Sequence, residues 1–158
     1  MLGNWILYLL AEQRPTPPPP ADDLTVDVFV TACGEPIALV EPALRAACEM
    51  EGAHRTWLLD DGADPSLAAL ASRLGAGYLA RDNRADAKAG NLNAALARTT
   101  GAIIVIFDVD HVPIAEFLTR SLGHFKDPQV GFVQVMLTFA NQGESWVASA
   151  AAETALDF

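Results

Sequence analysis

With 158 residues, the chain has room for one ordinary domain and a real hydrophobic core. Its formal net charge of −10 argues against a nucleic-acid partner and against charge-driven docking on anionic headgroups, since both need clustered Lys and Arg. Cys33 and Cys48 match no metal-ligand or redox spacing and read as reduced thiols.

Residues 2–11 (LGNWILYLLA) form an apolar run carrying Trp5 and Tyr8. The run is well short of the roughly 20 residues that span a bilayer, and it lacks the basic flank and cleavage site of a signal peptide. Two readings stand: the cytoplasmic end of a transmembrane helix with interfacial aromatics, or a short amphipathic segment packed on the domain. Residues 14–20 (RPTPPPP) follow, and consecutive prolines dictate a stiff polyproline II spacer. The domain organisation is therefore a hydrophobic end over residues 1–13, a proline-rich linker over 14–23 and a folded domain over 24–158.

Within that domain, residues 25–31 alternate and are β-branched, which predicts a first strand. Gly34-Glu35-Pro36 opens a helix, with Pro36 in its first turn and Gly52 beyond its end. A second strand over 55–59 runs into Asp60-Asp61-Gly62. Asp64-Pro65 caps a helix over 66–74 that Gly75 stops, and residues 77–80 make a short third strand. A polar loop over 81–86 precedes Lys88-Ala89-Gly90-Asn91-Leu92-Asn93, which leads into an alanine-rich helix ending near Thr100-Gly101. Residues 102–107 form an apolar strand. A helix is expected after Pro113, a further strand over 129–137 and a helix over 143–158. Strands alternating with helices predict an α/β fold with a mostly parallel sheet, whose ligands sit at the carboxyl ends of the strands.

The acidic residues fall at those strand ends. The run Ile103-Ile104-Val105-Ile106-Phe107 delivers Asp108-Val109-Asp110 to the rim, and strand alternation turns both carboxylates the same way. Two adjacent carboxylates repel unless a cation sits between them. A hard divalent ion, Mg²⁺ or Mn²⁺, is the natural guest, with a phosphate-bearing substrate completing its shell. His111 stands beside them, and three readings are open for it: a further ligand, a supporting group, or neither, the commoner case for a lone loop histidine. Asp60-Asp61-Gly62 serves as a turn or as an acceptor for a nucleotide's base or ribose. Lys88-Ala89-Gly90-Asn91-Leu92-Asn93 reads either as a helix start with Asn and Gly chosen for local geometry, or as an ammonium and helix N-terminal N–H groups set against a diphosphate. The glycine spacings of a Walker A loop and of a dinucleotide fingerprint are both missing. His54 and His124 carry no pattern.

Taken in order, Val26-Asp27-Val28-Phe29-Val30, Gly34-Glu35, Asp60-Asp61-Gly62, Lys88-Ala89-Gly90-Asn91-Leu92-Asn93 and Asp108-Val109-Asp110-His111-Val112-Pro113 resemble family 2 glycosyltransferases, in particular the bacterial cellulose synthase-like branch. The resemblance covers about residues 24–134. It implies a GT-A fold, incomplete at the C-terminus, that binds a UDP-sugar and transfers a hexose with inversion to a growing polysaccharide or glycan acceptor. It implies donor contacts from Cys33, Glu35, Asp60, Asp61, Lys88 and Asp108, and Mg²⁺ or Mn²⁺ on Asp108 and Asp110, the DxD motif. It also implies a bacterial inner-membrane protein with a cytoplasmic catalytic domain, which favours the transmembrane reading of residues 2–11.

Three departures qualify the resemblance. Thr31-Ala32-Cys33-Gly34-Glu35 stands where the family commonly has Pro-Thr-Tyr-Asn-Glu, so Cys33 replaces an aromatic. Val135-Met136-Leu137-Thr138-Phe139 stands where Thr-Pro and aromatic or histidine residues are frequent. The family's Thr-Glu-Asp general base and Gln-x-x-Arg-Trp acceptor motif do not occur, which places the base beyond Phe158 and predicts that this piece alone is inactive. Two alternatives remain open at this point. One is a haloacid dehalogenase-type phosphotransferase with Asp108 as nucleophile and Asp110 as acid/base. The other is a non-catalytic nucleotide-sugar-binding fragment.

Overall fold

The computed structural model describes residues 24–135 together with Pro19. The apolar run over residues 2–11, most of the proline spacer and the helix expected over 143–158 lie outside the described residues.

Strand β1 (Val26–Ala32) sits between two parallel neighbours and is buried along nearly its whole length. Period-2 alternation sends Val26, Val28 and Val30 into the larger core and Phe29 into the smaller one on the opposite face. Helix α1 (Ile37–Cys48) follows and buries Val40, Ala43, Leu44 and Ala47 against the larger core, a stripe at helical spacing. Pro36 is its N-cap, one position earlier than the sequence pattern places it. Strand β2 (Arg55–Asp60) pairs with β1 in parallel. Helix α2 (Pro65–Leu74) is capped by Asp64, whose carboxylate accepts from Ser66 N at 2.8 Å, and ends at Gly75 in the left-handed region. Strand β3 (Gly77–Ala80) pairs with β2.

Helix α3 (Ala87–Leu96) ends short of Thr100-Gly101. The reason is Asp27, a carboxylate buried in β1, whose Oδ2 accepts from Thr100 N at 3.1 Å and Gly101 N at 2.5 Å. Those amides are drawn to the sheet instead of continuing the helix. Asp27 also accepts from Trp57 Nε1 at 2.8 Å. Strand β4 (Ile103–Asp108) then pairs with the other side of β1. Beyond it the single helix expected after Pro113 is a short α4 (Phe117–Ser121) running into a 3-10 turn (Leu122–Lys126).

The strand expected over residues 129–137 does not form over 129–135, and Met136 and Leu137 lie outside the described residues. Asp127 instead closes a turn, its carboxylate accepting from Gln129 N and its carbonyl from Val130 N, and Phe132 is 80 % exposed. An alternating apolar pattern makes a strand only where a neighbour supplies the ladder.

The sheet has the order β3-β2-β1-β4, all parallel. Helices α1, α2 and α4 cover the face with Leu58 and Phe107, and α3 covers the face with Phe29 and Leu59. The chain steps outward from β1 to β3 and then crosses back to β4, so the connections diverge between β1 and β4. That divergence opens a crevice at the carboxyl ends of these strands, where ligands bind in such sheets. Among the described residues no helix is long and apolar enough to cross a membrane.

Candidate functional site

A cavity of about 380 Å³ occupies that crevice. Its wall includes Thr31, Cys33 and Glu35 from the end of β1, Asp61 after β2, Lys88 and Asn91 from α3, and Asp108 and Asp110 after β4. Of the sequence-predicted residues, Cys33, Glu35, Asp61, Lys88, Asp108 and Asp110 are thus brought to one cleft, and Asp60 is not. A second cavity of about 550 Å³ lies at the opposite rim, around His54, Arg55, Trp57 and Gly77, and carries none of the acidic strand ends.

Asp108 is the last residue of β4 and stands in register with Thr31. Its Oδ1 accepts from Thr31 Oγ1 at 3.0 Å and from the Lys88 ammonium. The Lys88 contact, helped by Thr31, holds the Asp108 carboxyl below its usual range against the opposing effect of burial. Asp110 does not arrive by strand alternation. The strand stops at Asp108, and a turn closed by His111 N donating to Asp108 O at 2.9 Å carries Asp110 round, with Val109 buried as its anchor. The result still joins the groups: ligand atoms of Asp108, Asp110 and His111 all lie within 4.8 Å of one another. Two carboxylates and an imidazole are a donor set that suits a hard or borderline divalent ion. His111 therefore joins the pair, with Nε2 3.6 Å from Asp110 Oδ1.

Asp60 and Asp61 divide their labour. Asp60 is fully buried, and its carboxylate accepts from Gly62 N at 2.7 Å, Asp64 N at 2.7 Å and Tyr78 Oη at 2.8 Å. It shapes the β2–α2 loop and raises the pKa of Tyr78, whose phenol is also pushed up by burial, the larger effect. Asp61 faces the cleft and pairs with Arg81, Nε to Oδ1 at 2.5 Å and Nη2 to Oδ2 at 2.8 Å. That pairing holds the Asp61 carboxyl below its ordinary value.

Glu35 accepts from Cys33 N, which fixes the loop after β1, and the Cys33 thiol is exposed and free. Thr31, Arg81 and Asn91 were not singled out individually by the sequence pattern. Arg81 carried a usable signal, since it follows β3 directly and so falls on the same rim as the other strand ends. Asn91 is nearly buried in the cleft wall within the Lys-Ala-Gly-Asn-Leu-Asn string.

The family profile described as Glycosyl transferase family 2 matches residues 27–153. Cellulose synthase 1 of Komagataeibacter xylinus is 40% identical over 124 residues, which cover 76% of this chain and 8% of that protein. The cellulose synthase catalytic subunit [UDP-forming] of Xanthomonas axonopodis pv. citri (strain 306) is 36% identical over 141 residues, covering 85% of this chain and 19% of that one. Among solved structures, the mannosyltransferase PcManGT from Pyrobaculum calidifontis, in complex with GDP-Man and Mn²⁺, superposes with a TM-score of 0.68 and 25% identity over 82% of this chain and 41% of its own. The glucosyl-3-phosphoglycerate synthase of Mycobacterium tuberculosis shares the fold at a TM-score of 0.51 and 20% identity, over 68% of this chain and 41% of its own. The chain thus spans under a fifth of the length of these two cellulose synthases.

Proposed function

The chain belongs to glycosyl transferase family 2 and carries a GT-A fold, and from that premise we propose that it forms the donor and metal site of an inverting hexosyltransferase acting from a UDP-sugar onto a growing polysaccharide or glycan. The observation that carries the reading is the convergence of Asp108, Asp110 and His111 with Lys88 at the crevice between β1 and β4. Support for the donor comes from a relative whose name specifies UDP as product, and support for the metal from a structural neighbour solved with GDP-Man and Mn²⁺.

On this reading Asp108, Asp110 and His111 hold Mg²⁺ or Mn²⁺, which when bound supplies Lewis-acid neutralisation of the charge growing on the leaving diphosphate. Lys88 adds a positive charge at the same end of the cleft, and the Thr31 hydroxyl orients Asp108. Asp61, Cys33 and Glu35 line the nucleoside end of the cleft, and Asp60 serves that end indirectly by shaping the loop before α2. Inversion follows on this reading if the acceptor oxygen bonds to the anomeric carbon on the face opposite the diphosphate, as the bond to the diphosphate oxygen breaks and the nucleotide leaves. Among the described residues none is proposed as the general base. The rest of the proposal is a membrane setting: the catalytic domain faces the cytoplasm of a bacterial inner membrane, joined through flanking segments.

The phosphotransferase alternative does not survive the family assignment. Calorimetric titration of the chain with UDP tests the proposal. Binding is expected with Mn²⁺ or Mg²⁺ and is expected to fall at least about tenfold in Asp110→Asn, where one charged ligand is lost. UDP binding that is indifferent to both metal and Asp110 would overturn the metal assignment.

A further inference from the structure

We propose that Arg81 is a positioning residue, clamping the backbone over residues 85–87, strained at Asp86 and Ala87, so that Lys88 is delivered to Asp108. The proposal deepens the donor-site reading above and rests on it.

The guanidinium commits four hydrogen bonds to the protein itself. Two go to the Asp61 carboxylate, as described. Nη1 donates to Ala85 O and Nη2 to Ala87 O, each at 2.6 Å. A planar fork with five donors can serve a carboxylate and two carbonyls at once, which a lysine ammonium on a single point cannot. The Arg81 and Asp61 side chains are only 10% and 5% exposed, so water competes poorly for these bonds.

The backbone so held is unusual. Asp86 has φ 61° and Ala87 has φ 44°, both in the left-handed region that residues with a Cβ rarely adopt. Such a pair persists only where the surroundings over-determine it. Arg81 grips the carbonyls on either side of Asp86. From the other direction, Gly90 of α3 brings its backbone so close that a Cβ there would lie 2.1 Å from Ala85 O and 2.4 Å from Arg81 Nη1. Lys88 is the next residue after Ala87, and its ammonium reaches Asp108. A line of restraints therefore runs from Asp61 through Arg81 and the 85–87 backbone to Lys88. Asp61 and Lys88 face the same cleft, and Arg81 ties their spacing together.

The test uses the full 158-residue chain and two readouts: UDP affinity in the presence of Mn²⁺, and amide hydrogen exchange without ligand at residues 85 and 90, whose amides donate to Asn83 Oδ1 at 2.8 Å and to Asp86 O at 3.0 Å. For Arg81→Lys, exchange is expected to speed up about tenfold at these amides while the core amides of β1 stay protected, and UDP affinity is expected to fall about tenfold. Gly90→Ala, which pushes the same loop from the opposite side, is expected to reproduce both changes. The double variant should add little to either, because both substitutions act through one element. Should Arg81→Lys fail to fold, Gly90→Ala decides alone. Weaker UDP binding with unchanged exchange would make Arg81 a direct donor contact and overturn the clamp. Unchanged affinity despite faster exchange would overturn it as well, by separating the loop from the site. Wild-type chain that binds no UDP with Mn²⁺ fails at a different point: it removes the donor-site reading, and the positioning role with it.

Discussion

Lys88 and a divalent cation draw on the same carboxylate, since Asp108 accepts from the ammonium and belongs to the candidate metal-ligand group. The two therefore oppose each other at Asp108 while cooperating on a diphosphate. Lys88→Met is expected to tighten Mn²⁺ binding in the absence of nucleotide by about twofold to fivefold, the range of an exposed ion pair, and to weaken UDP binding in its presence. Titration of free Mn²⁺ by electron paramagnetic resonance reads the first change and calorimetry the second. The same variant carries a pH signature. Asp108 has its folded pKa held below the ordinary 3.8. The unfolded chain thus binds more protons between the two values, and stability rises with pH there. This contribution is complete above the ordinary carboxylate value and is lost as pH falls through the lowered one. Without Lys88 the Asp108 carboxyl moves back up, so urea unfolding below about pH 4 should depend less steeply on pH in the variant than in the wild type. The neighbouring question of which acidic residue meets the donor shows how far single residues were legible. Asp60 closes β2 and Asp61 opens the turn after it, so strand alternation alone does not place the pair. Which one turns inward depends on where β2 ends, and the buried donors Tyr78 Oη, Gly62 N and Asp64 N settle it for Asp60.

At the scale of elements, local chemistry named the boundaries best where caps act alone. Helix α2 has both ends written in its own sequence, Asp64-Pro65 at the start and Gly75 at the end. Gly75 has φ 76° and nothing within 4 Å of where a Cβ would stand, so its cost on substitution is conformational only. Gly75→Ala is expected to destabilise the chain by about 1 kcal/mol, read as a lowered urea midpoint with unchanged slope. Helix α3 shows the other case. Its pattern continues toward Thr100, but Asp27, far away in sequence, captures the Thr100 and Gly101 amides and ends it early. Residues 129–135 are the third case, with strand-like composition and, among the described residues, no strand paired to them. Helix α3 turned on a partner distant in sequence, which no window of neighbouring residues contains.

For the molecule as a whole, the site is a property of the sheet, since its walls come from three strand ends and two helices that meet only in the parallel order β3-β2-β1-β4. Ligands that bind only this assembled state stabilise it by mass action. Mn²⁺ and UDP together, each near a hundredfold above its dissociation constant, are expected to raise the melting temperature more than either alone, with a joint gain on the order of 3 kcal/mol or more. A thermal scan showing no joint shift would count against a composite donor and metal site. What the amino-acid sequence determined by itself was the alternation of strands and helices, the placing of acidic residues at strand ends, and the paired carboxylates after an apolar strand, because hydrophobic period and turn chemistry act over a few residues. What only the tertiary structure decided was the inward turn of Asp60, the bidentate hold of Arg81 on Asp61, the reach of Lys88 to Asp108 and the stop imposed by Asp27. Each of these is a contact between residues that strand register and helix crossing bring together, and neither can be read from local periodicity.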